Sequence, residues 1–287
     1  MSSDDFFSTR VIKDKGELNN GVVYYLFVEN FMDLKLELEL ARKYKSNSQK
    51  ARILTETWVA EQIYCPSCGN PAIRRFKANR PVADFYCETC QEIYELKSKK
   101  SSIGKTLADG AYQTKIERLL SETNPNLFIL TYDTGWSVTN FITIPKQFFV
   151  PSLIEKRKPL PKTARRAGWQ GSNIIISDIP EMGKIYVIKN SSVLNKTSVL
   201  KSWDKSRFLS LSKNIESRGW TLDVLKAVEK INQEKFALDD VYKFEGELSS
   251  KHPENKHVRD KIRQQLQVLR DEKVIEFIAR GKYRIIT

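Results

Sequence analysis

The chain has 287 residues, 40% of them hydrophobic, and a formal net charge of +13. This length predicts one large or two medium domains with ordinary cores. Residues 1–20 are charged and lack the apolar run of a signal peptide, and no segment has transmembrane length, so we expect a cytoplasmic protein without a membrane partner. The positive charge favours a polyanionic partner such as nucleic acid, although many basic proteins bind none.

The first two thirds of the chain predict a mixed α/β fold. Residues 1–35 are poorly patterned and form an N-terminal extension, apart from one apolar stretch. The predicted elements are a strand at 21–28, a helix at 46–63, strands at 81–86 and 92–97, a helix at 106–121 and strands at 127–132, 140–144 and 185–188. This pattern is typical of a central mixed sheet flanked by helices. We expect this domain to span residues 36–215.

A different unit is predicted at residues 216–287, after a polar, lysine-rich stretch that reads as a linker or as a helix with connecting loops. Helical periodicity occurs three times, at Leu222/Leu225/Val228/Ile231, within 236–244, and at Val258/Ile262/Leu266/Leu269. Two short strands then follow, at 274–277 and 283–286. Three helices before a two-stranded hairpin is the order of a winged-helix domain.

The third of these helices is the expected DNA-reading helix. Its polar face carries Arg259, Arg263, Gln264, Gln267 and Arg270, and arginine and glutamine read base edges in the major groove. The basic tip of the hairpin, with Arg280 and Lys282, is the expected wing. The alternative is a helical interaction domain with solvated charges, because the charges of this segment nearly balance.

All four cysteines fall into two C-x2-C pairs, Cys65/Cys68 and Cys87/Cys90, with eighteen residues between the pairs. This spacing is typical of a zinc ribbon, and Gly69 suits the tight turn of the first knuckle. The alternatives are two disulfides or four buried thiols, but a cytosolic chain seldom keeps disulfides. Four cysteines leave no coordination position for water, so the Zn2+ is expected to be structural.

A second motif overlaps the cysteines. Pro81-Val-Ala-Asp84 is followed, eleven residues after Asp84, by Glu95-Leu-Lys97, which fits the nuclease signature PD-(D/E)xK. Asp84 and Glu95 are the expected ligands of one or two Mg2+ ions, and Lys97 would orient or deprotonate the attacking water or stabilise developing charge. Glu56, on the first helix, is a candidate additional carboxylate. The alternatives are a solvated basic run for Lys97 and a surface position for Glu56.

Other catalytic classes have little support. The two histidines, His252 and His257, lie far from the cysteines in sequence, so a histidine-based nuclease or a Ser-His-Asp or Cys-His site is hard to build. The chain also has no Gly-rich phosphate loop.

A basic loop is predicted between residues 156 and 177, which contain six basic and no acidic residues. Arg165 and Arg166 beside Trp169 suit phosphate contacts combined with a stacking or wedging aromatic. The alternative is a solvated loop whose tryptophan packs into the core.

Several long blocks of the sequence resemble the DpnI-type methyl-directed restriction endonucleases. The resemblance runs from about residue 36 to the end, in blocks at 44–56, 79–87, 95–100, 109–112, 163–169, 217–221, 262–267 and 280–284. It implies a PD-(D/E)xK domain with an inserted zinc site, then a winged-helix domain, and a type II enzyme. It also implies Mg2+-dependent, blunt double-strand cleavage at GATC containing 6-methyladenine, with Asp84, Glu95 and Lys97 in the catalytic roles and Trp169 against the adenine methyl.

Strict methyl discrimination needs more than one contact, because a buried methyl group contributes only about 1 kcal/mol. Reading by two domains, followed by selection at the catalytic step, would multiply the discrimination.

Two other functions remain open: a zinc-ribbon and winged-helix transcription regulator without catalysis, and a repair nuclease without methyl specificity. A monomer is expected.

Overall fold

The computed structural model describes residues 9–18, 21–30, 32–77, 83–121, 123–212 and 214–286. Pro81, the first residue of the predicted nuclease motif, lies outside the described residues. The N-terminal extension contains two antiparallel strands, and the second of them, Gly21–Asn30, includes the stretch predicted as a strand.

The first 211 residues contain most of the strands. Their helices and strands are, in chain order, β1 (Thr9–Leu18), β2 (Gly21–Asn30), α1 (Asn47–Gln62), β3 (Arg74–Arg75), β4 (Phe85–Tyr86), β5 (Ile93–Lys100), β6 (Thr106–Ala111), α2 (Tyr112–Leu119), β7 (Asn126–Tyr132), β8 (Val138–Ile144), β9 (Ile154–Lys156), β10 (Gly171–Ile175), β11 (Ile185–Lys189), β12 (Ser192–Val193), α3 (Lys196–Ser206) and α4 (Phe208–Leu211). Short 3-10 turns lie at Leu38–Ala41, Lys146–Phe148, Pro151–Leu153, Ile176–Asp178 and Glu181–Gly183.

A seven-stranded mixed sheet forms the centre of this region, in the order β12-β11-β8-β7-β5-β4-β3. β5 and β7 are parallel, and the other neighbours are antiparallel. Every residue of β7 is buried, and successive side chains enter opposite cores: Leu127 and Ile129 on one face, Phe128 and Leu130 on the other. The predicted central sheet flanked by helices is confirmed.

The prediction of a helix beginning at Thr106 was wrong for its first turn and a half. Residues Thr106–Ala111 form β6, which pairs with β10 in a small three-stranded sheet of order β6-β10-β9, and the helix begins only at Tyr112. Leu107 is buried in the core beside Ile174, its partner in β10. Pairing with β10 overrides the weak local helix propensity of residues 106–111. The local sequence does not predict this strand, because its partner is distant in sequence.

The C-terminal region forms a helix-turn-helix domain with a small sheet. It contains α5 (Ile215–Ile231), β13 (Lys235–Ala237), α6 (Leu238–Tyr242), α7 (Glu245–Lys251), α8 (Val258–Asp271), β14 (Ile275–Ala279) and β15 (Lys282–Ile285). The first and third predicted helices and the hairpin are confirmed, in winged-helix order. The short helix predicted at 236–244 is confirmed at Leu238–Tyr242. Its predicted start was wrong, because Lys235–Ala237 adds a third strand beside β15, and a further short helix, α7, follows it.

The C-terminal domain packs against one face of the central sheet. Buried residues of α5 and α8 share one continuous core with β7, β8 and β10. Polar contacts support this junction, since the Glu181 amide donates to Glu229 Oε1 at 2.7 Å and Lys226 Nζ donates to the Ile179 carbonyl at 3.4 Å. Among the described residues, no helix is long and apolar enough to cross a membrane.

A half-buried ionic cluster inside the C-terminal domain makes its stability pH-dependent. Asp223 lies 2.8 Å from both Lys251 Nζ and His252 Nε2, and the His252 ring stacks on Trp220 at a centroid distance of 3.9 Å. Burial acts to raise the pKa of Asp223, but the bonds from His252 and Lys251 outweigh it and lower the pKa below its usual value. A carboxyl with a depressed pKa stabilises the fold above its unfolded pKa of about 3.9 and loses this contribution as the pH falls.

We therefore expect Asp223→Asn to lower the free energy of unfolding by roughly 2 kcal/mol at neutral pH. The difference from wild type should shrink as the pH falls below about 4, where the wild-type carboxyl also takes up a proton. The free energy of unfolding of both proteins is measured by urea unfolding followed by circular dichroism, at neutral pH and below about pH 4. The exposed Asp239→Asn is the matched control, and a difference that is the same at both pH values would contradict the argument.

Candidate functional site

The four cysteines meet in one cluster. Their sulfur atoms all lie within 4.8 Å of one another, and the distances from Cys65 to Cys90 and from Cys68 to Cys87 are both 3.6 Å. Tetrahedral zinc with Zn–S bonds of about 2.3 Å requires sulfur atoms about 3.8 Å apart. The cluster therefore fits a tetrahedral ion with four thiolate ligands.

The two knuckles have matching backbone conformations. In the first, the Gly69 amide donates to the Cys65 carbonyl at 2.8 Å, and in the second the Gln91 amide donates to the Cys87 carbonyl at 3.0 Å. Gly69 and Gln91 both have positive φ, which the turn requires and which glycine adopts without strain. Burial acts to raise the pKa of Cys87, but hydrogen bonds from backbone amides of the second knuckle, chiefly those of Cys90 and Thr89, lower it to about 6. Amides directed at sulfur favour the thiolate form that binds metal.

Tyr94 connects the cysteine cluster to the sheet. Its hydroxyl lies 3.1 Å from Cys65 Sγ, and its fully buried ring stacks on Phe128 at 4.2 Å. The second knuckle is also the turn that joins β4 to β5, because Cys87 follows β4 and Cys90 precedes β5. The cluster thus fixes the start of the strand that carries Glu95 and Lys97.

Asp84, Glu95 and Lys97 line one cleft of about 560 Å³. Asp84 lies just before β4, where its amide donates to the Tyr94 carbonyl at 2.9 Å and its Oδ2 accepts from the Leu96 amide at 2.7 Å. Glu95 and Lys97 project from the same face of β5, as the strand period predicts, with Nζ 2.6 Å from Glu95 Oε1. The structure therefore brings the three motif residues together.

Glu56 also lines this cleft, on α1. Its side chain is only 7% exposed and pairs with Arg52 at 2.7 Å and with Arg75. It is therefore not a surface residue, which was one of the two readings left open by the sequence. Among the described residues, the four cysteines are the only group of three or more potential metal ligands whose ligand atoms lie within 4.8 Å of one another. The carboxylates of Glu56, Asp84 and Glu95 therefore do not all lie within this distance of one another.

Two residues with buried side chains that the sequence did not single out contact the cleft residues Glu95 and Lys97 without lining the cleft themselves. Asp109 on β6 lies 2.7 Å from Lys97 Nζ and 3.0 Å from Lys115 Nζ, and Lys115 on α2 also lies 3.5 Å from Glu95. Burial acts to raise the pKa of Asp109, but the charges of Lys115 and Lys97 hold it well below its usual range. Burial acts to lower the pKa of Lys97, and the charges of Glu95 and Asp109 overcome this and raise it. The only sequence signal was a block of family resemblance at 109–112.

The basic loop extends from the small sheet beside the cleft. It continues the pairing of β9 and β10, since the Leu160 amide donates to the Trp169 carbonyl at 2.9 Å. Arg165 and Arg166 are exposed and Trp169 is half-buried, with the Arg166 guanidinium 4.6 Å from the centre of the indole ring. A methyl group on Gly171 would lie 2.9 Å from Trp169 Cη2, so the glycine permits the ring to pack there. The tryptophan is therefore held at the surface rather than in the core.

The predicted DNA-contacting residues of the C-terminal domain are all exposed. Arg259, Arg263 and Gln264 lie on the solvent face of α8, while Val258, Ile262 and Leu266 face the core. Arg259 pairs with Glu245 at 2.7 Å, and Arg263 pairs with Asp260 and donates to the Tyr242 hydroxyl at 3.0 Å. The exposed Arg280 and Lys282 flank Gly281 at the hairpin tip, where φ is +66°. Both surfaces are therefore exposed to solvent, and the two arginines of α8 also pair with carboxylates of their own domain.

The structure combines a mixed sheet, whose cleft holds carboxylates and lysines, with a neighbouring basic loop and a helix-turn-helix domain. These features define a two-part protein that acts on DNA. Residues 32–212 match the model of DpnI, described as the Dam-replacing family, and residues 216–285 match the Dam-replacing HTH domain. The chain belongs to the DpnI, or Dam-replacing, family, which confirms the resemblance seen in the sequence. Membership makes it a methyl-directed restriction enzyme, a nuclease acting on DNA.

Proposed function

We propose that the protein is a type II endonuclease that makes Mg2+-dependent, blunt double-strand cuts at GATC sites containing 6-methyladenine. The observation that carries this proposal is the meeting of Asp84, Glu95 and Lys97 in one cleft, within a chain of the DpnI family. We assign residues 36–215 to the nuclease domain and 216–287 to the winged-helix domain, with 1–35 as an extension. We also propose that it acts as a monomer in the cytoplasm, where a reducing environment keeps cysteines available for Zn2+.

The donor types fit the proposed ions. The hard carboxylate oxygens of Asp84 and Glu95 suit Mg2+, which commonly binds through one or two carboxylates together with substrate phosphate. Glu56 is proposed as an additional carboxylate that Arg52 and Arg75 hold at the cleft wall. The four soft thiolates of Cys65, Cys68, Cys87 and Cys90 suit structural Zn2+.

The residues of the chain have separate roles in the proposed reaction. Asp84 and Glu95 bind Mg2+, which when bound offsets charge on the phosphate and lowers the pKa of a water molecule. Lys97 orients that water or stabilises developing negative charge at the phosphate oxygens. The amide of Leu96, the residue between Glu95 and Lys97 in the chain, holds the Asp84 carboxylate through a hydrogen bond of 2.7 Å. The water loses a proton as its oxygen attacks phosphorus, the bond from phosphorus to the 3′ oxygen breaks, and the departing oxygen takes up a proton, so the products are a 5′ phosphate and a 3′ hydroxyl.

Recognition is proposed to use both basic surfaces. Arg165 and Arg166 contact phosphates, and the Trp169 ring packs against the adenine methyl group. In the winged-helix domain, Arg259, Arg263 and Gln264 read bases in the major groove, while Arg280 and Lys282 contact the backbone from the wing.

Cleavage of two plasmids that differ only in adenine methylation at GATC, with Mg2+ present, tests the proposal. Cutting of the methylated plasmid alone, with ligatable blunt ends, is the expected result. Cutting of both plasmids would reject the methyl specificity and leave a nuclease. Cutting of neither by folded, zinc-loaded protein would reject catalysis and favour a binding module.

Trp169→Ala is expected to weaken the preference for methylated DNA by about fivefold to tenfold, because one lost methyl contact is worth about 1 kcal/mol. The ratio of the single-turnover rates on the two plasmids measures this preference. Trp136→Ala is the matched control, since it removes a partly buried indole outside the basic loop. An unchanged ratio in Trp169→Ala would contradict its assignment as the methyl contact.

A further inference from the structure

A closed ring of four charges joins the cleft residues Glu95 and Lys97 to the buried side chains of Asp109 and Lys115, which do not line the cleft. Lys97 Nζ contacts Glu95 at 2.6 Å and Asp109 at 2.7 Å, and Lys115 Nζ contacts Asp109 at 3.0 Å and Glu95 at 3.5 Å. Each lysine therefore bridges the same two carboxylates. The ring has no net charge, and it joins β5 to β6 and α2.

The buried half of this ring is Asp109 and Lys115, whose side chains are only 4% and 9% exposed. Burying two charges is costly, and an apolar pair of the same size often stabilises a fold as well or better. Stability alone therefore gives a weak reason for charges at these positions. The other two members, Glu95 and Lys97, belong to the proposed nuclease centre. The buried pair therefore contacts two residues of that centre and can hold them in position.

We propose that Asp109 and Lys115 are positioning residues of the nuclease centre. Asp109 holds the Lys97 ammonium at the cleft wall when Glu95 binds a divalent cation, and Lys115 fixes both carboxylates in place. This inference rests on the proposed function. Its physical reason is that a cation on Glu95 takes away one of the two anionic partners of Lys97 and adds a repulsive charge, whereas Asp109 remains 2.7 Å away.

Lys97 lies among charged groups from every neighbouring element. They are Glu95 and Lys99 on β5, Asp84 before β4, Asp109 on β6, Lys115 on α2, and Arg52 and Glu56 on α1. Of the acids, Glu95 and Asp109 are those in direct contact with its ammonium. Removing the charge of Asp109 should therefore leave the Lys97 ammonium without a contacting anionic partner once a cation is bound to Glu95, so its position at the cleft is no longer fixed.

The test compares the single-turnover rate of cleavage of the methylated plasmid, at saturating protein and Mg2+, with the affinity for DNA measured without Mg2+. It uses the full-length, zinc-loaded protein. Asp109→Asn is expected to cut roughly tenfold to a hundredfold more slowly per folded molecule, while its affinity for DNA is unchanged. A structural role alone would lower the amount of folded protein without changing the rate per folded molecule.

A second pair of variants tests the idea if Asp109→Asn folds poorly. Lys115→Met is expected to slow cleavage, and Lys115→Arg, which keeps the charge, to restore most of the rate. Glu117→Gln, on the same helix but exposed, is the matched control and should behave as wild type. A wild-type rate per folded molecule in Asp109→Asn, or in Lys115→Met, would overturn the inference. Failure of the wild-type protein to cut would reject the proposed function itself, before any variant is compared.

Discussion

Asp84→Asn is expected to lower the single-turnover rate of DNA cleavage by about a thousandfold, because a bound metal contributes several kcal/mol of charge stabilisation and each 1.4 kcal/mol is about a factor of ten. Asparagine has the same shape and still offers an oxygen to the Leu96 amide, which now binds Asp84 Oδ2 at 2.7 Å. The local backbone should therefore be preserved, and only the charge of the ligand is lost. The rate is measured on methylated plasmid at saturating protein.

The control for this variant is Asp133→Asn. Asp133 also accepts a backbone amide, from Ser137 at 2.9 Å, but it is exposed in the turn between β7 and β8 and does not line the cleft. We expect it to cut at the wild-type rate. DNA affinity should be close to wild type in both variants when measured without Mg2+, since the basic surfaces are untouched. A fully active Asp84→Asn would show that the cleft is not the site of hydrolysis.

The local geometry of the candidate site could be predicted because the sequence rules involved act over short distances. Two C-x2-C pairs each form a knuckle whatever surrounds them, and residues two apart on a strand share a face, which puts Lys97 beside Glu95. Asp84 meets Glu95 because the turn between β4 and β5 is the second knuckle, so Phe85 pairs with Tyr94. All of these residues lie within the stretch from Cys65 to Lys97.

Asp109 and Lys115 could not be predicted in the same way, because they reach Glu95 and Lys97 through strand pairing that is distant in sequence. β6 is a strand only because β10 lies beside it, with Ser172 opposite Asp109, and the segment read alone looks like the start of a helix. The strand at Lys235–Ala237 has the same cause, since it forms only where β15 already provides an edge. Glu56 is an intermediate case: its helix was predictable, but its burial against Arg52 and Arg75 was not.

Loss of the metal cluster is the other change expected to have a large effect. Structural zinc contributes an apparent 10–16 kcal/mol, approximately, to the folding of small zinc-finger peptides. Here the second knuckle is the turn that connects β4 to β5, and the hydroxyl of Tyr94 on β5 lies 3.1 Å from Cys65 Sγ. We therefore expect Cys87→Ser to lose bound zinc, to melt at a lower temperature and to cut no methylated DNA, because Asp84 and Glu95 flank the disrupted turn.

Thr89→Ala is the matched control, because Thr89 is exposed in the same knuckle and contributes its backbone amide, which the substitution keeps. It should bind one equivalent of zinc per chain and cut normally. Metal content by atomic absorption, thermal melting by circular dichroism and plasmid cleavage are measured on both variants. The buried residues of α5 and α8 belong to the core on one face of β7, whereas Cys65 and Cys87 belong to the core on the other face, so binding of DNA by Cys87→Ser should be reduced less than cleavage. A Cys87→Ser protein that keeps stoichiometric zinc and full activity would show that the cluster does not support the catalytic strand.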